Sequence, residues 1–379
     1  MEVIQRLQSL SAFMNYEVSN DRECAVRGKN IDDVYISRAV SGNGKTINLV
    51  KTMLTSACER NCYYCAFRAG REFQRISFKP EELAYTFMSI YRAGVADGLF
   101  LSSGIAGGAM HTQDLLIKTA EILRYRLGYK GYLHLKIMPG AEHAQIERCM
   151  LLADRVSVNL EAPNRERLMM LAPKKDYSEE LIQPLEWIDR IRSNKLPIKA
   201  WKSRWPTSVT QFVIGAANET DLELLETTEN LINNTHLRRV YYSKFRPVDD
   251  TPLANLPAEK PEREFRLYEA SYLLRDYYFK LHELPFDING NLPLEHDPKY
   301  LWAKLNLTHQ PIDINQAGFT ELVRIPGIGP KKAKYILEQR KTSKILTLSD
   351  LHKIGIDSSR VEPFILINGK QIISQTSLW

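Results

Sequence analysis

Six short runs rich in β-branched and aliphatic residues recur along this chain, and stretches with helical spacing separate them. The runs occupy residues 47–54, 98–103, 132–137, 155–160, 208–214 and 239–244. The helical stretches occupy 80–93, 112–127, 142–152, 178–192 and 220–233. Strands that alternate with amphipathic helices indicate parallel βαβ units. Six such units form either an open doubly wound sheet or a partial barrel, and the pattern alone does not separate the two.

The length and composition limit the kind of protein this is. A chain of 379 residues is long enough for one large domain and a smaller one. No run approaches the roughly 18 apolar residues of a membrane span. The first residues, MEVIQRLQSLSAF, carry charge early and lack the apolar core of a signal peptide. We therefore expect a cytoplasmic protein with no membrane partner.

Three of the five cysteines fall within eight residues, in TSACERNCYYCAF directly after the first predicted strand. Cys58, Cys62 and Cys65 have the spacing Cys-x3-Cys-x2-Cys. One tight cluster within an odd number of cysteines favours metal binding over disulfides. Three thiolates can ligate three irons of a 4Fe–4S cluster. The fourth iron then stays open to a small molecule, and S-adenosylmethionine (SAM) offers an amino group and a carboxylate for it.

Two other chemistries for these cysteines have to be weighed. A structural zinc site needs four ligands, and the first histidine of the chain is His111. A redox dithiol needs only Cys62 and Cys65 and leaves Cys58 unexplained. The position of the motif after a strand agrees best with the cluster.

The motif, its position and the six βα units resemble the radical SAM superfamily, whose usual core is a six-unit partial barrel. The resemblance covers about residues 48–247. It implies that Tyr64 lies near the adenine of SAM. It also implies that Ser102, Ser103 and Gly104, in LFLSSG, meet the methionine amino and carboxylate groups. Many members have Gly-Gly-Glu there, and this chain lacks the Glu.

Two further strand ends carry candidate contacts. In VSVNLEAPN, Asn159 and Glu161 point to one face at the carboxyl end of a strand, where barrel active sites lie. The resemblance gives them a role near the ribose or the substrate, and the alternative is surface polar residues. In TQFVIGAANETD, it places Gln211, Val213 and Gly215 beside the adenine. Glu219 fits the first turn of the next helix.

The tail contains DINQAGFTELVRIPGIGPKKAKYILEQR, which resembles a helix-hairpin-helix motif. Gly327 and Gly329 allow a tight turn that presents backbone N–H groups at a helix N-terminus, a site suited to phosphate. Lys331 and Lys332 add positive charge, and Ile328 anchors the hairpin in the core. Residues 308–379 hold ten Lys and Arg against six Asp and Glu. These features favour contacts to a nucleic-acid backbone; the alternative is a protein-contact module.

Over nearly its full length the chain is similar to a family of radical SAM proteins assigned to DNA modification or repair. We expect an N-terminal extension at 1–40, a partial barrel at 41–250, a helical cover and linker at 251–307, and a helix-hairpin-helix nucleic-acid-binding domain at 308–379. The predicted enzyme uses a 4Fe–4S cluster and SAM to generate a 5′-deoxyadenosyl radical that modifies or repairs DNA. An RNA-modifying enzyme and a non-catalytic iron–sulfur DNA-binding protein are the alternatives.

The resemblance also implies partners. DNA is favoured over RNA as the nucleic acid. An electron donor such as flavodoxin or ferredoxin would reduce the cluster. A uracil-DNA-glycosylase-like protein is associated with the family and is a further candidate partner.

Overall fold

The structure is a computed structural model that describes residues 3–14, 25–27, 34–40 and 46–371. The isolated Cys24 lies outside these residues. The chain divides into two compact units. The first comprises Met1–Glu219 and Asn230–Lys260, and the second comprises Thr220–Glu229 and Pro261–Trp379.

The first unit is built on one sheet whose described strands follow each other in chain order. They are β1 (Ala25–Arg27), β2 (Tyr35–Val40), β3 (Thr46–Met53), β4 (Gly98–Ser102), β5 (Tyr132–Lys136), β6 (Arg155–Ser157), β7 (Thr207–Ile214) and β8 (Arg239–Lys244). The strands β1, β2 and β3 pair antiparallel, whereas β3 to β8 pair in parallel. This curled α/β sheet confirms the partial barrel and decides against the open doubly wound sheet.

Helices connect the parallel strands, as the apolar periodicity predicts. They are α2 (Pro80–Arg92), α3 (Ala109–Glu121), α4 (His143–Leu152), α5 (Arg165–Leu171), α6 (Gln183–Asn194) and α7 (Asp221–Thr235), and a further helix, α1 (Val3–Phe13), precedes β1. Single π-helical turns extend α3 over Ile122–Arg126 and precede α6 over Tyr177–Ile182. The helices α1 and α5 and the strands β1 and β2 are additions to the predicted elements. The first two strands therefore bring part of the expected N-terminal extension into the barrel sheet.

Burial of the strands explains why they read as apolar runs in the sequence. All five residues of β4 are buried, and so are the last seven residues of β7. Parallel strands covered on both faces are apolar without alternation. Helix α2 begins with Pro80 and carries Glu81 and Glu82 in its first turn. Both features favour a helix N-terminus.

The second unit is mainly helical. Its helices are α8 (Pro261–Asp276), α9 (Pro298–Asn306), α10 (Phe319–Leu322), α11 (Pro330–Gln339), α12 (Leu348–Lys353) and α13 (Ser358–Val361). A small sheet joins β9 (Ile312–Asp313), β10 (Ile365–Ile367) and β11 (Lys370–Gln371). Residues Ala303 and Leu307 share one apolar core with Ile328 and Ile336. The segment predicted as cover and linker therefore falls, from Pro261 onward, in the same unit as the tail.

Among the helices that the structure describes, none combines the length and apolar character that a membrane span requires.

Candidate active site

The three clustered cysteines lie on a loop that leaves the end of β3 and returns before α2; we call residues 57–75 the cysteine loop. A short antiparallel pairing closes its base. Thr55 forms a bridge with Ser77, and the Phe78 N–H donates to the Leu54 carbonyl at 2.8 Å. The Ile76 N–H donates to the Ser56 hydroxyl at 2.8 Å. The two ends of the cysteine loop are therefore fixed to each other.

The cysteine loop is also fixed to the end of β4. The Gly104 N–H donates to the Thr55 carbonyl at 2.7 Å, and the Glu59 N–H donates to the Ile105 carbonyl at 2.8 Å. A Cβ at position 104 would overlap the Ala57 carbonyl and come within 3.2 Å of the Cys58 Cβ. Glycine is required there because the loop backbone occupies the space of a side chain.

A cavity of about 200 Å³ opens at the carboxyl ends of the parallel strands. The three cysteines line it, together with these predicted contacts: Tyr64, Ser102, Ser103, Gly104, Asn159, Glu161, Gln211 and Val213. Each of the strands β3 to β8 contributes a lining residue from its end or from just beyond it. These residues are Met53, Ser102, Lys136, Asn159, Val213 and Lys244. The fold therefore gathers residues from six separate segments at one end of the barrel.

Gly215 is the predicted contact that does not line the cavity. It follows β7 directly, with φ +91°, and its N–H donates to the Glu219 carboxylate at 2.5 Å. Glu219 also accepts the Ala217 N–H at 3.1 Å, and it lies before α7 rather than in its first turn. The buried Glu219 carboxylate therefore stabilises the turn that ends β7.

Burial governs the ionisation of the cysteine thiols in the protein alone. It raises the pKa of Cys65 to about 12, and the neighbouring Cys62 adds to the effect. Burial also raises the pKa of Cys62, while the Lys175 ammonium opposes that rise. The Phe67 N–H donates to the Cys65 sulfur at 3.4 Å. A positive charge and an N–H donor are thus directed to sulfurs that have to be deprotonated to bind iron.

The cation beside the thiols is held by a buried ion pair. Lys175 Nζ lies 3.0 Å from Glu161 Oε1, and the two side chains are 9% and 6% exposed. Burial alone would lower the pKa of Lys175, but Glu161 and Cys62 hold it above its usual value. The lysine therefore stays charged. Burial, and then the Glu161 charge, raises the pKa of Tyr64 well above its usual value, so the phenol stays protonated.

Glu161 adopts φ +66°, a conformation that residues other than glycine rarely take. Its N–H donates to the Gln211 carbonyl at 2.9 Å, and its own carbonyl accepts the Val213 N–H at 2.8 Å. These two bonds fix the strained residue against β7. Such strain persists where the surroundings require it, and it is concentrated at functional sites.

In the second unit, the hairpin at 326–330 joins α10 to α11. Gly327 has φ +83°, and Gly329 is the N-cap of α11, which begins with Pro330. Ile328 is fully buried in the core of the unit. Lys331 is exposed, and half-buried Lys332 donates to the Gly327 carbonyl at 3.3 Å. A second glycine turn follows in this unit, with Gly355 at φ +72° between α12 and α13.

Comparison with family models decides the class of the barrel. The radical SAM superfamily model matches residues 52–231. Residues 52–231 therefore form a radical SAM domain. A helix-hairpin-helix model matches residues 308–362, which include the hairpin and both of its glycines. The radical SAM family uses a 4Fe–4S cluster and SAM.

Solved structures similar to this chain include methylornithine synthase (PylB), at 14% identity and a TM-score of 0.48, over 60% of this chain and 61% of that one. The FeFe-hydrogenase maturase HydG from Carboxydothermus hydrogenoformans has 15% identity and a TM-score of 0.47, over 81% and 80%. Kinesin-like protein KIN-10B of Arabidopsis thaliana is 48% identical over 48 residues, 13% of this chain and 8% of its own length. The chain thus spans a small part of the length of that curated relative.

The residues of the cavity fit the two groups that the radical SAM family uses. Within the described residues, no three or more His, Cys, Asp or Glu side chains are arranged to hold a single metal ion. A 4Fe–4S cluster instead takes one thiolate per iron, so its ligands need not converge on one point. Two buried oxygens of the lining, Ser103 Oγ and Glu161 Oε2, have no hydrogen-bond partner in the protein. Buried polar atoms without partners are rare, and a polar ligand would satisfy them.

Several residues of this radical SAM site carry no motif in the sequence. Lys175 follows α5 and reaches Glu161 from 14 residues away. Met14, directly after α1, also lines the cavity. Arg75 follows the third cysteine by ten residues and contacts the loop backbone. The adjacent lysines in APKKDYS are the one indication of these residues in the sequence, and they do not indicate that Lys175 contacts Glu161.

Proposed function

We propose that Cys58, Cys62 and Cys65 hold a 4Fe–4S cluster in the cavity and that SAM binds beside it, so that the enzyme modifies or repairs DNA bound through its hairpin. The observation that supports this most is that the three cysteines line one cavity with eight of the nine predicted SAM contacts. When bound and reduced, the cluster and SAM supply a 5′-deoxyadenosyl radical.

The protein side chains bind and orient the cofactors. Ser102, Ser103 and Gly104 offer hydroxyl groups and backbone for the methionine part of SAM. Asn159 and Glu161 serve the ribose or the substrate. Gln211 and Val213 lie beside the adenine. Gly215 acts indirectly, because the turn it forms with Glu219 ends β7.

Glu161 keeps Lys175 charged, and the Lys175 ammonium acts on the Cys62 sulfur, although the Glu161 charge opposes part of that effect. A cluster ligated by three thiolates carries negative charge that increases on reduction. A nearby cation stabilises the reduced state, because cluster potentials respond to net charge and to hydrogen bonds at the sulfurs. Radical SAM enzymes typically need an electron donor, and flavodoxin or ferredoxin is our candidate.

The cavity assignment is tested by reconstituting the full chain with iron and sulfide under anaerobic conditions. Dithionite and SAM are then added, and 5′-deoxyadenosine is measured by chromatography. We expect one cluster per chain and SAM-dependent release of 5′-deoxyadenosine. A reduced cluster with no cleavage of SAM would overturn the radical assignment and leave the non-catalytic iron–sulfur alternative.

Nucleic acid is the substrate class that the tail supports. The hairpin places Gly327, with φ +83°, before a helix whose first turn carries Lys331 and Lys332. Helix N-termini bind phosphates, and such contacts are independent of base sequence. We expect duplex DNA to bind more tightly than duplex RNA. A uracil-DNA-glycosylase-like protein is a candidate partner that would deliver the damaged site.

The nucleic-acid assignment is tested by titrating labelled DNA and RNA duplexes against the full chain at several salt concentrations. Gly327→Ala places a side chain at positive φ, which costs about 1–2 kcal/mol, so we expect roughly tenfold weaker binding. Tighter binding of RNA would favour the RNA-modifying alternative. Unchanged binding by Gly327→Ala would favour a protein-contact role for the tail.

A reducing compartment is consistent with these assignments. The four cysteines that the structure describes are free thiols. Thiols and iron–sulfur ligands persist where disulfides do not form, so we assign the enzyme to the cytoplasm.

A further inference from the structure

Arg75 makes an unusual set of contacts at the end of the cysteine loop. Its Nη1 donates to the carbonyls of Ser56 at 2.8 Å and Phe67 at 2.7 Å. Its Nη2 donates to the carbonyls of Arg68 at 2.8 Å and Arg71 at 3.1 Å. One guanidinium, at the end of the loop, therefore binds three carbonyls within the loop and one directly before its start.

The planar shape of arginine is suited to this role. Guanidinium presents its N–H donors in a rigid fork, whereas a lysine ammonium is a single point with rotatable donors. The Phe73 ring lies 3.8 Å from the Arg75 Cζ and covers one face of the guanidinium. A charged donor bonded to carbonyls of the same loop links segments that are far apart along it. We therefore expect the loop to hold its shape without a metal.

The charge of Arg75 also acts on two of the three cysteines. Arg75 interacts electrostatically with Cys58 and Cys65. Lys175 interacts in the same way with Cys62 and Cys65. Within the part of the chain that the structure describes, no carboxylate forms an ion pair with Arg75, whereas Lys175 is paired with Glu161. Arg75 thus contributes a positive charge that no acidic side chain cancels.

We propose that Arg75 is a positioning residue of the cluster site: through its carbonyl bonds it holds the cysteine loop in shape before iron binds, and it fixes in that loop a positive charge that acts on two of the ligand cysteines. This inference rests on the proposed cluster site. The loop order that it predicts belongs to the metal-free chain and can be measured there.

Three variants of the full chain separate the shape of Arg75 from its charge. Arg75→Gln removes both, and Arg75→Lys keeps the charge but cannot bind four carbonyls. Arg71→Gln is the matched control, because the Arg71 side chain lies in the same loop and donates to only one of its carbonyls, that of Ala66. The Arg71 Nε bond goes to the Asp249 carbonyl, outside the loop.

The first measurement is hydrogen exchange of loop peptides in the metal-free proteins. The Ala69 N–H, bonded to the Arg60 carbonyl at 2.8 Å, is one amide that the closed loop protects. We expect exchange at least tenfold faster in Arg75→Gln and Arg75→Lys, and less than twofold faster in Arg71→Gln. Exchange within twofold of wild type in both Arg75 variants would overturn the positioning role, whether or not a cluster forms.

The second measurement uses the reconstituted proteins. We expect a chelator to remove iron at least tenfold faster from Arg75→Gln than from wild type, and the cluster midpoint potential to become more negative. Arg75→Lys is expected to keep the wild-type potential while losing iron faster. Equal potentials in Arg75→Gln and wild type would overturn the charge role. Absence of a cluster from wild type would overturn the proposed function instead, and the metal-free exchange comparison would still decide the loop-ordering role.

Discussion

The cysteine loop and the hairpin are both tight backbone segments braced by a basic side chain outside the sequence motif. Arg75 binds three carbonyls of the cysteine loop and that of Ser56 directly before it, and Lys299 of α9 donates to the Ile328 carbonyl of the hairpin at 2.6 Å. The two segments differ in how far their function depends on other parts of the protein. The hairpin presents its functional groups within a few consecutive residues. The cysteine loop is one wall of a cavity whose other walls are six strand ends.

This difference has consequences for mutation. A change in the cysteine loop is expected to affect the cofactor site as a whole, because each wall depends on the others. A change in the hairpin is expected to alter phosphate binding in a graded way, since backbone contacts of this kind act additively. Substitutions in the two segments can therefore test this contrast.

The largest effect is expected from the cysteines. Cys58→Ala, Cys62→Ala and Cys65→Ala should each abolish the cluster absorbance and the release of 5′-deoxyadenosine, since each iron takes one thiolate. DNA binding should stay unchanged. Iron content and absorbance spectra of the reconstituted variants provide the measurement.

Cys149→Ala is the matched control. Cys149 is fully buried, accepts a hydrogen bond from Gln113 Nε2 at 3.2 Å and does not line the cavity. Burial raises its pKa to about 12, so it stays a thiol. We expect the control to keep a full cluster and lose only about 1–2 kcal/mol of stability. Loss of the cluster in the control as well would show that the three cysteines are not its specific ligands.

The second prediction concerns Gly104→Ala. The added Cβ would overlap the Ala57 carbonyl, so the cysteine loop has to shift. Overpacking of this kind costs about 1–3 kcal/mol, and we expect iron per chain to fall to less than half. Thermal unfolding and iron analysis check the two effects.

Gly318→Ala is the matched control, because it replaces a glycine with alanine at a position that has room for the side chain. A Cβ there would have Glu321 Oε2 as its neighbour, at 3.6 Å, which is an ordinary contact. Its iron content should match wild type. A Gly104→Ala enzyme with a full, stable cluster would mean that the close approach of β4 does not constrain the loop.

The sequence was sufficient for the barrel because its signal is regular and strong. The run at 239–244 matches β8, and the run at 98–103 matches β4 to within one residue. The run at 155–160 was predicted too long, since β6 ends at Ser157 and the chain then turns through the strained Glu161. Helix α5, with seven residues and the exposed Met169 and Met170, is too short and too weakly amphipathic to be recognised.

The candidate site could be predicted from the sequence only at residues that belong to a recognisable motif. Cys58, Cys62 and Cys65 are specified by spacing, and the strand-end contacts by resemblance. Arg75 and Lys175 were not predictable, because their partners are backbone carbonyls and a carboxylate whose positions depend on the tertiary fold. The antiparallel β1 and β2 were missed because short strands before an expected domain boundary give little periodicity.

The third prediction concerns Lys331→Ala in the hairpin. Lys331 is exposed at the start of α11, so its removal should cost one phosphate contact. Binding should weaken equally for different DNA sequences, and the slope of log K against log salt should fall by about 1. Titrations at several salt concentrations measure that slope.

Lys341→Ala is the control for charge removal in the same unit. Lys341 lies two positions after the end of α11, and its ammonium is 2.8 Å from the Glu338 carboxylate. We expect a smaller change of slope. Equal changes for the two lysines would indicate a diffuse electrostatic field rather than a phosphate site at the hairpin.

The smallest effect is expected from the pH dependence of Lys299. Burial lowers its pKa to about 7 from a usual value of 10.5. Between these values the unfolded chain binds a proton that the folded chain does not, so the stability of the second unit should rise with pH from about 7 and level off above 10.5. The side chain is half-buried, so we expect a slope below about 1 kcal/mol per pH unit. Lys299→Met should remove it.

The titration of the Lys299 Cε resonance by NMR measures this pKa directly, and denaturant unfolding at pH 7, 8 and 9, followed at the Ile336 methyl groups, measures the slope. Lys341→Met should leave both unchanged, because Lys341 is exposed. If Lys299 titrates near 10 instead, the ammonium is retained by its bond to Ile328 and its contact with the Tyr277 ring, 4.7 Å away. Lys299 would then hold the hairpin through a permanent charge, as we infer that Arg75 holds the cysteine loop. The two segments would then differ only in that the cysteine loop forms its site together with the strand ends.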